Sequence, residues 1–589
     1  MDARSEQLNR AWKWSKDLLA ASDFSRRFDW LMTVVTLVAL GVTLIGRGYR
    51  IELEPSGTLQ QSIDIALIVV FLIDGARSLA SGRGTWSVIL RSWPRRLAVG
   101  IGCLVVFVSG LLTVHGVATL VLYRQVFFLL RMIGRSRAAQ TVLAEVRLKP
   151  AQMLALSFLF TIGVGTYFLT LPAATADQQG ASFLNALFTA TSATCVTGLI
   201  VVDTSTYWSR FGQTVILILI QIGALGIMTI STSAALLLGR RLGLRERVVL
   251  HEIFDEAMAE ELIRLIRNII TLTFVIESVG FALLLVEFLG RAPSWTEALY
   301  QAVFHSVSAF CNAGFSLASD SLMGFVNDLG VNLIISTLII LGGLGYTVLG
   351  GISSLWPVKR RLRLRWRALS LHTKLTLVTS LALISLGTVL FFFFEFDNTL
   401  LHLSLKDQIV AAYFQSVTAR TAGFNTVDIG QLKPTTLFVL MILMFIGASP
   451  GSTGGGIKTT TVAVLILSVR SIIHQREEVE AFGRTISRTM IYKAAAIAVI
   501  SLGVVLSLLL VLLAVEQGDF LALAFEAVSA FGTVGLSTGI TPQLTTWGKL
   551  IIIIMMYVGR IGPLTLALAI GEPKRRLPIA YPQGRVWIG

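Results

Sequence analysis

The sequence predicts an all-α polytopic membrane protein. Four parallel repeats, each a helix, a short re-entrant segment and a second helix, surround a pseudo-fourfold axis, preceded by an amino-terminal bundle of about four transmembrane helices. Three observations predict this. Hydrophobic residues make up 54% of the chain and charged residues only 14%, with a mean hydropathy of +0.75, which is far from the composition of a soluble domain. Basic residues gather in short clusters between apolar runs, so the net charge of +15 marks cytoplasmic flanks and not a nucleic-acid surface. A long–short–long alternation of apolar segments then recurs four times.

Residues 1–147 carry apolar runs at 31–45, 63–79, 97–114 and 117–133, flanked by basic clusters at 26–27 and 135–137. Both ends of this bundle are therefore expected in the cytoplasm. The first run is one of many alike, so no cleavable leader is expected. Asp64 and Asp74 in the second run, with Arg124, Arg131, Arg135 and Arg137 in or after the fourth, give a degenerate voltage-sensor-like outline. A working sensor needs several arginines spaced through one helix, and Arg135 and Arg137 fall in the following loop, so a scaffold or docking bundle is expected.

The repeats occupy residues 148–245, 246–368, 369–486 and 487–589. Their apolar segments are 153–171, 183–194 and 214–238; 262–288, 295–310 and 331–356; 375–394, 407–419 and 435–469; and 490–514, 519–531 and 550–570. Each middle segment is too short to span and must enter and leave on one face. Basic clusters at 240–247, 359–367, 470–488 and 574–576 place the start and end of every repeat in the cytoplasm, which makes the repeats parallel. Ser294 with Glu297 fits a capping box, and Ser404 with Asp407 resembles one.

The short segments end in Thr194-Cys195-Val196-Thr197-Gly198-Leu199, Cys311-Asn312-Ala313-Gly314-Phe315, Arg420-Thr421-Ala422-Gly423-Phe424 and Gly532-Thr533-Val534-Gly535-Leu536. The glycines recur at intervals of about 110 residues. Upstream, Phe188 and Ser192, Phe304 and Ser308, Phe414 and Thr418, and Phe525 and Ser529 share an i, i+4 relation, hence one helix face. The third repeat is one residue shorter before its glycine, so its strand is expected to follow a slightly different path. Irregular backbone at membrane depth must be buried in protein or line a wet cavity, and four such segments in one chain imply a shared axis: helix–pore-loop–helix units around a pseudo-fourfold pore. Glycine lets successive carbonyls aim at that axis, where oxygens can replace a cation's hydration shell, with inward-pointing helix carboxy termini adding partial negative charge.

Residues 446–458 interrupt the second long segment of the third repeat with Gly447, Ser449, Pro450, Gly451, Ser452, Thr453, Gly454, Gly455, Gly456 and Lys458. No helix runs unbroken through so many glycines and a proline, so this stretch is expected to break at membrane depth and face the pathway. Lys458 is expected nearer the cytoplasmic side. Arg560 sits inside an apolar helix, where a charge must face a cavity or a partner.

Together these residues resemble the Trk/Ktr/HKT superfamily of potassium transporters, and among them the Ktr-type ion-translocating subunit, over residues 148–589. The resemblance implies that Thr194 to Gly198, Asn312 to Gly314, Thr421 to Gly423 and Thr533 to Gly535 form an ion-binding filter whose carbonyls hold K+ as the transported ion. Some relatives carry serine at the first position, and Gly198 here points to K+ over Na+. It further implies that residues 447–458 are an intramembrane gating loop acting with Arg560 as an electrostatic barrier, and that the tail 581–589 packs into a homodimer interface. A cytosolic nucleotide-binding regulatory ring, membrane lipid as surroundings and Na+ as an activator are implied in the same way. The setting is the cell membrane, multi-pass, with both termini cytoplasmic.

Other classes fit less well. A secondary sodium or other cation transporter with a midplane site would show inverted repeats, whereas these are parallel. No nucleophile–base set or metal-ligand cluster points to an enzyme, and Cys103, Cys195 and Cys311 lack metal-ligand spacing. Gly456-Ile457-Lys458-Thr459 departs from the phosphate-cradling G-x-x-x-x-G-K-[ST] pattern, so no covalent or nucleotide cofactor is expected on this chain.

Overall fold

The computed structural model describes residues 150–239, 251–353, 366–563 and 565–566. The expected amino-terminal bundle (1–147) and the tail (581–589) lie outside the described residues. Four successive units follow one plan. The first contains α1 (Pro150–Thr170), the short α2 (Phe183–Thr194) and α3 (Arg210–Gly239). The second contains α4 (His251–Leu289), the short α5 (Trp295–Cys311), α6 (Leu329–Leu344) and α7 (Tyr346–Ser353). The third has α8 (Leu371–Glu395), the short α9 (Leu405–Thr418), α10 (Pro434–Phe445) and α11 (Thr459–Ile473). The last has α12 (Arg488–Val515), the short α13 (Phe520–Gly532) and α14 (Thr546–Ile561).

Among the described residues, five helices are long and apolar enough to cross a membrane, and the bent pair α6–α7 makes up to six. Their outward faces expose Phe160, Val286, Phe393 and Leu510, side chains that hydrocarbon tolerates and water does not. The short helices sit inside: Phe188, Phe304, Phe414 and Phe525 are fully buried. The packing closes a circle, since the second long helix of each unit lies against the short helix of the next, α3 on α5, α6 on α9, α10 on α13 and α14 on α2.

Polar caps fix the helix ends. Ser182, Ser294, Ser404 and Asp519 each accept the N–H three residues on, satisfying an orphan donor of the short helix that follows. The capping box at Ser294 is only half made, because the Glu297 carboxylate pairs with Arg210 of the first unit. Two acids at the ends of first helices cap the second helices of their units. Glu395 accepts Lys433 N–H (2.9 Å) and the Thr436 hydroxyl (2.5 Å), and Glu516 accepts Thr545 N–H (2.9 Å) and the Thr545 hydroxyl (2.5 Å).

The second helices differ from the uninterrupted spans expected at 331–356 and 550–570. α6 stops at Gly345 (φ +81°), and α7 leaves it at 99°. α14 stops at Gly562 (φ +88°). In both cases glycine adopts a left-handed angle that ends a helix, which hydropathy alone does not register. The break expected in the third unit falls between α10 and α11. One addition to the helical plan is a hairpin, β1 (Val479–Ala481) with β2 (Arg484–Ile486), turned by Phe482 and Gly483, both at positive φ. Its Val479, Ala481 and Ile486 pack against Ala463 and Leu375.

Candidate functional site

The four glycines at the ends of the short helices meet. A Cβ built on Gly198 would fall within 3.0 Å of Ala313 O, one on Gly314 within 3.0 Å of Ala422 O, one on Gly423 within 3.0 Å of Val534 O and one on Gly535 within 3.0 Å of Thr197 O. The same positions lie 3.2, 2.9, 3.1 and 3.0 Å from the Cα of the next glycine in turn. Each glycine thus abuts the carbonyl preceding its successor, and the fourth returns to the first. Only a closed ring of four segments about one axis does this.

The backbone repeats as well. Val196, Asn312, Thr421 and Thr533, each two residues before its glycine, have φ between +49° and +76°, and the glycines lie between +70° and +95°. A β-branched residue at such an angle is strained, and three of those four are β-branched. The hydroxyls flagged by the i, i+4 pattern hold this path. Gly198 N–H donates to Ser192 Oγ and Gly535 N–H to Ser529 Oγ, both at 3.1 Å, while Ser308 Oγ donates to Phe315 O (2.8 Å) and Thr418 Oγ1 to Phe424 O (2.6 Å). The Thr197, Ala313 and Val534 amides reach back five residues to the serine carbonyl, whereas in the shorter third unit Ala422 reaches back four, to Thr418 O (2.9 Å). The missing residue changes the helix exit and keeps the ring. Cys195 and Thr194 are buried at the end of α2. The Asn312 amide meets Thr421 Oγ1 at 3.3 Å, and in the orientation that satisfies nearby carbonyls it donates to Ala309 O and Ile339 O at 3.1 Å. No acidic side chain belongs to the ring segments, so any charge it offers a cation comes from main-chain oxygens and helix carboxy termini.

The segment between α10 and α11 folds back on itself. Ile457 N–H donates to Phe445 O (3.2 Å), Thr459 N–H to Ala448 O (3.3 Å) and Ser452 Oγ to Ser449 O (2.6 Å), and Gly447 has no room for a Cβ against Gly455 O and Gly456. Its upper turn touches the ring on the short-helix side: a Cβ on Gly454 would overlap Thr421 Oγ1, and one on Gly455 would overlap Thr533 Oγ1. The other side docks on the broken end of α6, with Ser449 N–H on Gly343 O (3.0 Å), Thr453 N–H on Gly342 O (3.3 Å) and Tyr346 N–H on Gly451 O (3.1 Å), and Pro450 lies in the turn that Ser452 N–H closes on Ser449 O. Arg560 is buried and donates to Thr453 O and to Gly223 O (3.0 Å), joining the segment to the first and fourth units. Lys458, expected nearer the cytoplasmic side, folds back so that Nζ donates to Gly454 O (2.6 Å) and Gly455 O (3.3 Å).

Three residues escaped the sequence reading. Gly223, Gly342 and Gly559 lie where a Cβ would overlap Thr194 O, Phe310 O and Phe531 O, the carboxy ends of the short helices. Each is followed three residues on by another glycine, Gly226, Gly345 and Gly562, a recurrence that does not reveal what the first glycine meets.

A family described as TrkH, cation transport protein, matches residues 160–576. The Ktr system potassium uptake protein B of Bacillus subtilis (strain 168) is 43% identical over 450 residues, covering 76% of this chain and 98% of that protein. The protein of the same description from Vibrio alginolyticus is 40% identical over 440 residues (74% and 94%). The potassium/sodium uptake protein NtpJ of Enterococcus hirae is 36% identical over 451 residues (75% and 98%). The crystal structure of the potassium transporter TrkH from Vibrio parahaemolyticus superposes with a TM-score of 0.60 at 20% identity, covering 81% of this chain and 96% of that one, a likeness of fold.

Proposed function

Since this chain belongs to the TrkH family of cation transport proteins, we propose that it carries K+ into the cell, with the glycine ring as the filter that strips water from the ion. The closed cycle from Gly198 through Gly314 and Gly423 to Gly535 and back carries this reading, because it brings main-chain segments of all four units into one ring, the arrangement a carbonyl filter needs. The membrane potential supplies the driving force for an inward-moving cation.

In this reading residues 447–458 and Arg560 form the gate. The loop lies against Thr421 and Thr533 just inside the ring, and the guanidinium that pins Thr453 O adds a positive charge to the same stretch. Lys458 steadies the loop through its carbonyls. The repeats begin and end in the cytoplasm, as do both termini. A cytosolic nucleotide-binding ring regulates the gate, and the chain works as a homodimer. The relatives' description as parts of a Ktr system fits a separate partner subunit, and the name of the Enterococcus relative fits a role for Na+ as activator.

Expression in a cell that lacks K+ uptake tests the function. Growth at low K+ should return, and more strongly with Na+ present. A correctly inserted chain that restores no growth at any Na+ concentration would remove the reading.

A further inference from the structure

Directly after the buried phenylalanine of each short helix stands a second buried side chain, and in every unit it is polar: Thr189, His305, Gln415 and Glu526, none more than 4% exposed. Buried polar groups at membrane depth are costly unless bonded. In three units the partner is a hydroxyl on the chain that leaves the ring on its outer side. His305 Nδ1 lies 2.8 Å from Gln301 O, so it carries the proton, and Nε2 faces Ser316 Oγ at 3.1 Å. Gln415 Nε2 donates to Thr426 Oγ1 at 3.3 Å. Glu526 accepts the Thr541 hydroxyl, which is itself 3.1 Å from Ser537 Oγ.

Ser316 stands two residues beyond its ring glycine, Thr426 three and Thr541 six, with Ser537, two beyond Gly535, bonded to Thr541. The first unit has Ile200 and Val201 where Ser316 and Thr426 stand in theirs, with no polar side-chain atom to offer, and there the short helix carries only Thr189. A long polar side chain bonded to an outer hydroxyl thus occurs in three units, whereas in the first Thr204, placed beyond Gly198 as Thr541 is beyond Gly535, is buried with its Oγ1 making no hydrogen bond. The second and third outer segments are further joined, since Leu322 N–H donates to Asn425 O (3.0 Å) and Asn425 N–H to Ser321 Oγ (3.2 Å).

We propose that His305, Gln415 and Glu526 are positioning residues that fix the outer edge of the ring, each by tying its short helix to the segment leaving the glycine, and so help set the choice between K+ and Na+. The ties bear on spacing because adjacent ring segments lie so close that the next glycine's Cα stands within 3.2 Å of where each Cβ would be. A smaller ion is rejected only if the oxygens are kept from closing in on it. This inference rests on the filter reading of the ring.

The test removes each bond from the far side, leaving the short helix intact. In cells lacking other K+ uptake, K+ uptake and its competition by Na+ are measured for Ser316→Ala, Thr426→Val and Thr541→Val, normalised to inserted protein. Each should lower the K+/Na+ ratio about fivefold, the scale of one neutral hydrogen bond. Glu526→Gln keeps an acceptor for Thr541 and should hold the ratio, whereas Glu526→Leu should lose it. Reduced insertion with an unchanged ratio in all of them would overturn the proposal in favour of a purely structural role. Gly314→Ser run alongside separates the two ideas. If it shifts the ratio while the tie variants do not, the ties fall and the filter stands, and if none shifts it, both fall.

Discussion

At Gly198 two independent constraints exclude a side chain. The backbone angle of +90° costs an L-residue about 1–2 kcal/mol, and the carbonyl of Ala313 occupies the place of a Cβ. Relieving the second means moving an oxygen of the neighbouring unit, so Gly198→Ser is expected to reduce discrimination between K+ and Na+ more than it reduces the amount of inserted protein, read by competitive uptake. Gly223 differs. It presses on Thr194 O from a helix outside the ring and lends its own carbonyl to Arg560. Gly223→Ala should therefore overpack the site by about 1–3 kcal/mol and lower the melting temperature of the purified protein. A melting temperature equal to the parent's would show that α3 has room to withdraw. The ring glycines were legible because they follow four short apolar segments alike. Gly223, Gly342 and Gly559 were not, since a glycine in an apolar helix looks the same whether it meets a carbonyl or lipid.

Among the elements, the loop of 446–458 and the break at Gly345 act as one piece. Carbonyls 342 and 343, set free where α6 ends, receive amides of the loop, and Tyr346 returns an amide to Gly451. Deleting Gly454 to Gly456 should raise K+ flux, because these residues fill the space beside Thr421 and Thr533. Arg560→Gln should do so as well, by loosening Thr453 and removing a buried positive charge. Equal flux in either variant at equal insertion would take the barrier role from that element. Gly345→Ala forces an L-residue to φ +81° against Gly451 and should change flux without altering K+/Na+ choice. The loop's break could be read from its glycines and Pro450. The 99° bend could not, because hydropathy counts residues and says nothing of direction, and the bend is stabilised by amides from a segment about a hundred residues away. The half-made capping box has a similar origin: Glu297 found Arg210 across the unit boundary, a partner invisible to local spacing.

Over the whole molecule, the parallel sense of the units follows from where basic clusters fall, and their number from the recurrence of the long–short–long pattern. The order in which units touch is a three-dimensional fact: α3 on α5, α6 on α9, α10 on α13 and α14 on α2. With such a circle, strain in one quadrant passes to its neighbour. Gly198→Ser combined with Gly423→Ser, on opposite sides of the ring, should reduce discrimination by more than the product of the separate effects, and a simple product would mean that the quadrants respond independently.

Because the quadrants are encoded separately, the circle carries no obligation of symmetry. An assembly of four identical chains suffers every mutation in quadruplicate, whereas here a change is felt once. The residue missing before Gly423 and the isoleucine at position 200 are departures of that kind, each confined to one side. A tandem gene can in this way interrupt one quarter of its circle with a loop and bend another at a glycine, while all four keep the same glycine-to-carbonyl seam.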